Sequence, residues 1–269
     1  MSPMPCVLFD AAGNSVLMIL AGPSAPFVLS KEFVLQAMDH LHPYTADIVA
    51  VVRSDSPWSA EFANPDGSTE MVCGNALRSI PAALMLFGDA RELISTIVHT
   101  SFGTISVSGT IETGLVEFPL DKVRVNGQIA SEAGVLVEIG TPHRVRLVKC
   151  LVADEIETEG RALSSSSDPV NATFVSLARK RIELRTFERG VGETRSCGTG
   201  AMAAVVALWQ SGFADLLPPS GAITAFLSGE NLTVVLRESE NRVSVSGRLT
   251  PVSRGLIGLP KGEVTWFPS

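Results

Sequence analysis

Two stretches of the chain pair a Cys-Gly step with an apolar, helix-forming run, and this duplication constrains the fold more than any other feature. The first, M-V-C-G-N-A-L-R at residues 71–78, places Cys73 before Gly74 and Asn75. The second, F-E-R-G-V-G-E-T-R-S-C-G-T-G-A-M-A-A at residues 187–204, places Cys197 before Gly198 and Gly200. Ala-rich runs with no early breaker form helices readily. Each cysteine is therefore expected at a helix N-terminus, where unpaired N–H groups and the macrodipole favour a thiolate. A Gly-bearing polar loop precedes each step, D-G-S-T-E before Cys73 and G-E-T-R-S before Cys197.

Most of the remaining chain reads as strands. Residues 7–20 form two apolar runs around a turn at Gly13-Asn14. Ser30 is expected to cap an amphipathic helix over 31–40. Short strands at 47–52 and 59–62 precede the turn-rich N-P-D-G-S at 64–68. Pro81 is expected to kink the Cys73 helix unless it lies in the first turns, and Gly88-Asp89 to end it. Residues 93–120 and 123–148 alternate in the manner of strands, and the serines around 160–168 suggest a surface loop. Strands at 172–175 and 181–187 lead to Cys197, and hairpin-like strands follow Pro218-Pro219. The order β-rich, helix, β-rich, helix, β-rich predicts an α+β fold of two similar halves, each wrapping mixed strands around one long helix. The halves are expected at 1–119 plus 256–269, carrying Cys73, and at 120–255, carrying Cys197.

A chain of 269 residues can bury such cores without disulfides or a structural metal. The net charge of −7, with no basic stripe, argues against a nucleic-acid partner. Apolar runs at 80–87 and 201–209 fall far short of the roughly 18 residues that span a bilayer. The first residues lack the charged-then-apolar pattern of a secretory leader, so no membrane association and a cytoplasmic location are expected. Cys6, Cys73, Cys150 and Cys197 form no CxxC pair and are expected as free thiols. Cys6 and Cys150 lie among apolar residues, the setting of buried structural cysteines. His40 and His42 in D-H-L-H-P lack a third ligand and read as a helix end, so no metal site is expected. Residues 198–203 fit a loose G-x-G-x-x-A, but no buried strand directly precedes them, which argues against a dinucleotide fingerprint.

Two thiols at paired helix starts suit one chemistry well. Inverting an amino-acid α-carbon needs a base on one face and an acid on the other, and a thiolate and a thiol can exchange these roles. The carbanion-like transition state needs strong stabilisation, which N–H groups at helix starts can offer the substrate carboxylate.

At residues 64–78 and 188–200 the chain closely resembles the two signature motifs of the diaminopimelate epimerase family, cofactor-independent two-cysteine enzymes of lysine and peptidoglycan biosynthesis. Gly13-Asn14, Pro142-His143 and V-N-A-T-F-V around Asn171 extend the resemblance along nearly the whole chain. It implies two pseudo-symmetric α/β domains, no cofactor, a small-molecule amino-acid substrate and a homodimer. By position it implies Cys73 and Cys197 as the acid–base pair. Gly74, Asn75, Gly198 and Thr199 would hold the α-carboxylate on backbone N–H groups. His143 and Glu188 would contact the α-amino group. Asn14, Asn64, Asn171 and Arg189 would bind substrate, the last three at its far end.

Several positions depart from the family pattern. Thr141 replaces an Asn of the distal clamp, Ile48 stands where a Gln is expected, Ser15 follows Gly13-Asn14 where the family has Asp, and Ala76 replaces a Gly. Losing one buried hydrogen bond to a charged group costs roughly 1.5–3 kcal/mol, enough to change substrate preference. The expected reaction is LL- to meso-diaminopimelate, with the same chemistry on another amino acid such as histidine as the alternative. A non-catalytic or redox dithiol protein is the reading from a different class, and an isomerase of the same fold with a carboxylate base is a third.

Overall fold

In the computed structural model, the residues described are 2–23, 27–54, 57–88, 93–152, 154–178, 181–217, 222–226, 229–258 and 261–267. The chain divides into two compact units, Met1–Val116 with Arg248–Ser269, and Glu117–Gly247.

The first unit opens with β1 (Met4–Ala11) and β2 (Asn14–Ala21), an antiparallel hairpin closed by the pair Ala11 and Asn14. Ala12 and Gly13 both have positive φ, 55° and 92°, which gives the mirror-image turn that matches strand twist. The turn thus falls one residue before Gly13-Asn14, because Asn14 already pairs. Helix α1 (Lys31–Asp39) is capped by Ser30, whose Oγ accepts the Phe33 N–H at 3.2 Å. It crosses over to β3 (Ile48–Arg53), parallel to β2. Strand β4 (Trp58–Ala63) returns antiparallel, followed by short β5 (Thr69–Glu70) and helix α2 (Gly74–Phe87). Then β6 (Ile94–Thr100) lies parallel to β4, β7 (Gly103–Gly109) turns back on it, and β8 (Thr113–Pro119) leaves the unit.

Strands β1 to β3 are apolar on both faces because both are covered. Cys6, Leu8, Leu17, Ile19 and Val49 share one cluster with Phe33, Val34 and Ala37 of α1. The alternate residues Val7, Phe9, Val16, Met18 and Ala50 are equally buried, and α2 packs against the same three strands. Helix α2 runs on through Pro81 in its middle, at the expense of one backbone hydrogen bond.

The second unit starts with β9 (Arg124–Gly127), β10 (Val135–Glu138) and β11 (Pro142–Leu147), each antiparallel to the last. Helix α3 (Asp154–Ser164) crosses to β12 (Asn171–Ala178), parallel to β11 with His143 opposite Asn171. Strand β13 (Arg181–Glu188) and short β14 (Gly192–Thr194) precede helix α4 (Gly198–Gln210). Then β15 (Ala222–Phe226) runs parallel to β13, followed by antiparallel β16 (Asn231–Arg237) and β17 (Arg242–Arg248). The chain returns to the first unit with β18 (Thr250–Ile257) along β1 and β19 (Val264–Trp266) on β18.

From β10 to β16 the second unit repeats β1 to β7 in element order and in the sense of every pairing. The α+β fold of two pseudo-symmetric halves therefore stands as expected. Each half carries a second, shorter helix as well as its long one. The return to the first unit comes at 248 and not 256, because β18 pairs with β1 from Thr250 onwards. Asp89, Pro218 and Pro219 lie outside the described residues.

Two expectations need correcting. Cys150 is exposed, not buried. Residues 160–164 are not loop but the end of α3, and the serine-rich loop begins only at Ser165. Gly160 disguises this helix, yet packing requires it there. A Cβ at Gly160 would stand 2.2 Å from Cδ2 of Phe187, which meets Phe174 edge to face in the cluster under α3. Gly160→Ala is therefore expected to destabilise the protein by about 1–3 kcal/mol through overpacking, despite alanine's better helix propensity. Chemical denaturation checks this, and a gain in stability would contradict the packing.

Candidate active site

Both Cys-Gly steps fold alike. Cys73 is the N-cap of α2 with φ −132° and ψ 114°, and Cys197 is the N-cap of α4 with φ −136° and ψ 111°. The first helical bonds are Leu77 N–H to Cys73 O and Ala201 N–H to Cys197 O, each 2.9 Å. The N–H groups of the intervening residues precede the i→i−4 ladder and point out of the helix start. Gly74 and Asn75, and Gly198 and Thr199, are thus placed as donors for an anion. All four are buried.

The two caps differ in burial, Cys73 being half-buried and Cys197 buried, and in their cap bonds. Cys197 Sγ accepts the Gly200 N–H at 3.3 Å, whereas Cys73 makes no side-chain cap bond. At Gly200 an added Cβ would sit 3.3 Å from Cys197 Sγ and 3.2 Å from Thr173 Oγ1. The equivalent residue of α2 is Ala76, which carries that Cβ. Gly200→Ala is expected to fold but to push the Cys197 thiol off its donor and slow its alkylation several-fold near neutral pH. Peptide-resolved alkylation kinetics measure this, and an unchanged rate would contradict it.

Unit two gathers most of its expected site residues into one buried network. Thr199 Oγ1 lies 3.4 Å from Cys197 Sγ and 3.0 Å from His143 Nε2. Thr141 Oγ1 also reaches Nε2, at 3.1 Å, and Thr173 Oγ1 is 3.1 Å from Nδ1. Asn171 Oδ1 accepts the Arg189 backbone N–H at 2.9 Å, which turns its Nδ2 towards His143 Nε2 at 3.4 Å. Nε2 therefore acts as the acceptor, and Nδ1 carries the proton and donates to Thr173. Full burial, with the charge of Arg189 as a second cause, depresses the His143 pKa to about 3. His143 is neutral across the physiological range. Glu188 Oε1 accepts the Thr194 hydroxyl at 2.6 Å.

In unit one, buried Asn14 opens β2, and Asn64 follows β4 with its Nδ2 donating to Ser68 and Glu70, both at 3.0 Å. Arg78 was overlooked by sequence reasoning. It is fully buried in α2, with Nε and Nη2 donating to Asn75 Oδ1 at 3.3 and 3.1 Å and Nη1 to Arg248 O at 3.0 Å. Its signal was a lone charge in an otherwise apolar helix. Thr173 and Thr194 were likewise missed, since threonine in a strand reads as β propensity alone. Among the described residues no cluster of His, Cys, Asp and Glu could hold a metal. His40 closes α1 with Nδ1 at 2.8 Å from Gln36 O. No helix among the described residues is long and apolar enough to cross a membrane.

A family model described as diaminopimelate epimerase matches residues 135–248. The diaminopimelate epimerase of Teredinibacter turnerae is 29% identical over 280 residues, 92% of this chain and 96% of that protein. That of Magnetococcus marinus is 33% identical over 222 residues, 74% of this chain and 77% of that protein. Among solved structures, a hydroxyproline epimerase from Agrobacterium vitis with bound trans-4-hydroxy-L-proline aligns with a TM-score of 0.69 at 15% identity, over 97% of this chain and 94% of that one. A phenazine biosynthesis protein of the PhzF family from Enterococcus faecalis aligns with a TM-score of 0.68 at 16% identity, over 96% of this chain and 100% of that one. Such distant structures share the fold alone. The sequence relation goes further, and by it this chain belongs to the diaminopimelate epimerase family and is an isomerase of the epimerase and racemase class.

Proposed function

We propose that the enzyme inverts the α-carbon of an amino acid by two-base catalysis, with Cys73 and Cys197 as thiolate and thiol. One observation carries this reading: the two cysteines are N-caps of equivalent helices with nearly the same backbone angles. One thiolate removes the α-proton, the other thiol protonates the opposite face, and the roles reverse for the other enantiomer. The N–H groups after each cysteine hold the substrate carboxylate and stabilise the charge that develops beside it. Neutral His143 and Glu188 position the α-amino group. Diaminopimelate, the substrate named by the relatives, is the first candidate.

A second reading keeps the chemistry and changes the substrate. Thr141 has a hydroxyl where the family pattern has an amide, and that hydroxyl contacts His143. Ile48 is a buried apolar side chain at the expected Gln position. A distal end with fewer polar contacts favours an amino acid other than diaminopimelate.

Incubation in D₂O with LL- and meso-diaminopimelate, histidine, lysine and ornithine, followed by chiral chromatography, separates the two. Inversion with α-deuterium uptake from diaminopimelate supports the first reading, and from another amino acid the second. No exchange with any of them sinks both.

A further inference from the structure

The geometry points to the Thr199 hydroxyl as a two-position donor that follows the protonation state of Cys197, with His143 as its alternative acceptor. This deepens the two-thiol reading and rests on it. Thr199 Oγ1 stands within reach of both Cys197 Sγ and His143 Nε2, at 3.4 and 3.0 Å, and all three side chains are buried. A hydroxyl has one proton and two lone pairs, so it donates to one neighbour at a time. When Cys197 is a thiolate, the Thr199 O–H turns to Sγ and supplies a charge-assisted hydrogen bond. When Cys197 is a thiol, its S–H points at Thr199 Oγ1 and the O–H turns to Nε2. The swap is a rotation about the Cβ–Oγ bond, and no proton leaves Thr199.

The second position requires an unprotonated Nε2, whose single lone pair is also faced by Thr141 Oγ1 at 3.1 Å and Asn171 Nδ2 at 3.4 Å. When the Thr199 O–H takes it, the Thr141 hydroxyl turns to Thr199 Oγ1, 3.5 Å away. Asn171, oriented by the Arg189 N–H, keeps Nε2 unprotonated, while Thr173 takes the Nδ1 proton and itself lies 3.5 Å from Thr186 Oγ1. A protonated imidazole would offer Nε2–H to Thr199 and remove the second position. Burial keeps the ring neutral. Other titratable groups on the elements packed against α4 are few. Strand β12 has none, and β11 carries half-buried Arg144 and Arg146, the latter paired with Glu159. Strand β10 ends in half-buried Glu138, and Arg237 at the end of β16 and Asp215 beyond α4 are exposed. Glu188 ends β13 and Arg189 follows it.

The test compares two substitutions with opposite chemistry. Thr199→Val keeps the shape and removes the hydroxyl, while Thr199→Ser keeps the hydroxyl and removes a methyl. Iodoacetamide alkylation of Cys197 is followed against pH by peptide-resolved mass spectrometry. In Thr199→Val, Cys197 is expected to titrate about one pH unit higher and to react about tenfold more slowly at pH 7. Thr199→Ser is expected to titrate as wild type, whereas a purely packing role would make both variants alike. Thr199→Ala removes the same hydroxyl without added bulk and serves if the valine variant does not fold. An unmoved Cys197 titration in both hydroxyl-free variants overturns the proposal. The underlying two-thiol reading fails by a different result, the absence of α-deuterium exchange in the wild-type enzyme.

Discussion

Cys197→Ser is expected to lower stereoinversion by about 10²- to 10⁴-fold, the range for removing one positioned acid–base group. Serine is nearly isosteric and is a preferred N-cap, so α4 should keep its start and the thermal midpoint should hold or rise slightly. The hydroxyl does not ionise near neutrality, however, and it cannot take over as base or exchange roles with Cys73. The α-proton should then wash out in D₂O from at most one enantiomer, through Cys73 alone. Cys73→Ser should give the mirror result. Chiral chromatography reports inversion and mass spectrometry reports the exchanged proton, so one incubation reads both. Inversion retained within about tenfold of wild type would remove Cys197 from the chemistry. The stability measurement guards against a trivial loss, because a correctly folded and inactive variant can only have lost the thiol.

The part of this fold most legible in the sequence is the part where local chemistry decides. Ser30 caps α1, Cys73 and Cys197 open α2 and α4, and Gly13 turns the first hairpin. Each of these is a short-range event that a few residues determine. What was hidden depends on partners far away in the chain. Helix α3 carries Gly160 because Phe187 leaves no room for a Cβ, and no local pattern contains that reason. Arg78 reads as a misplaced charge until Arg248, distant in sequence, provides the carbonyl that its guanidinium bonds. Cys150 has apolar neighbours in sequence, yet it is exposed.

The same divide runs through the site. The cysteines, His143, Asn171 and the Glu188-Arg189 pair stand in motifs and could be found there. The hydroxyls that hold His143 come from Thr141 just before β11, from β12 and from α4, and only the parallel pairing of β11 with β12 sets His143 opposite Asn171. Pseudo-symmetry shows the same limit. The sequences of the halves share little beyond C-G-(N/T)-(A/G), while their strand pairings match throughout. Burial pattern and crossover order carry the repeat, and many residue choices satisfy both.

Acid should unfold this protein through His143, and the sign follows from its burial. The folded pKa is about 3, against 6.5 for the free side chain. Between these values the unfolded chain binds a proton that the folded protein refuses, so stability falls as pH drops through that window. Above pH 6.5 both states are neutral at this residue and its contribution is flat. Within the window each pH unit should cost roughly tenfold in the folding equilibrium, or about 3 kcal/mol by pH 4. Carboxylates with depressed pKa values, such as Asp66, add losses of their own only below about pH 4. Urea midpoints at pH 7, 6, 5 and 4 for the wild type and for His143→Gln isolate the term. The variant is expected to start less stable, having lost part of the buried network, but to lose much less between pH 6.5 and 4. Parallel losses in the two proteins would mean that His143 takes up its proton without unfolding, and the neutral, hydroxyl-bound imidazole on which the site is built would be wrong. Over the same range the rate of inversion should show no inflection near pH 6.5, since the imidazole does not change charge where the enzyme is folded.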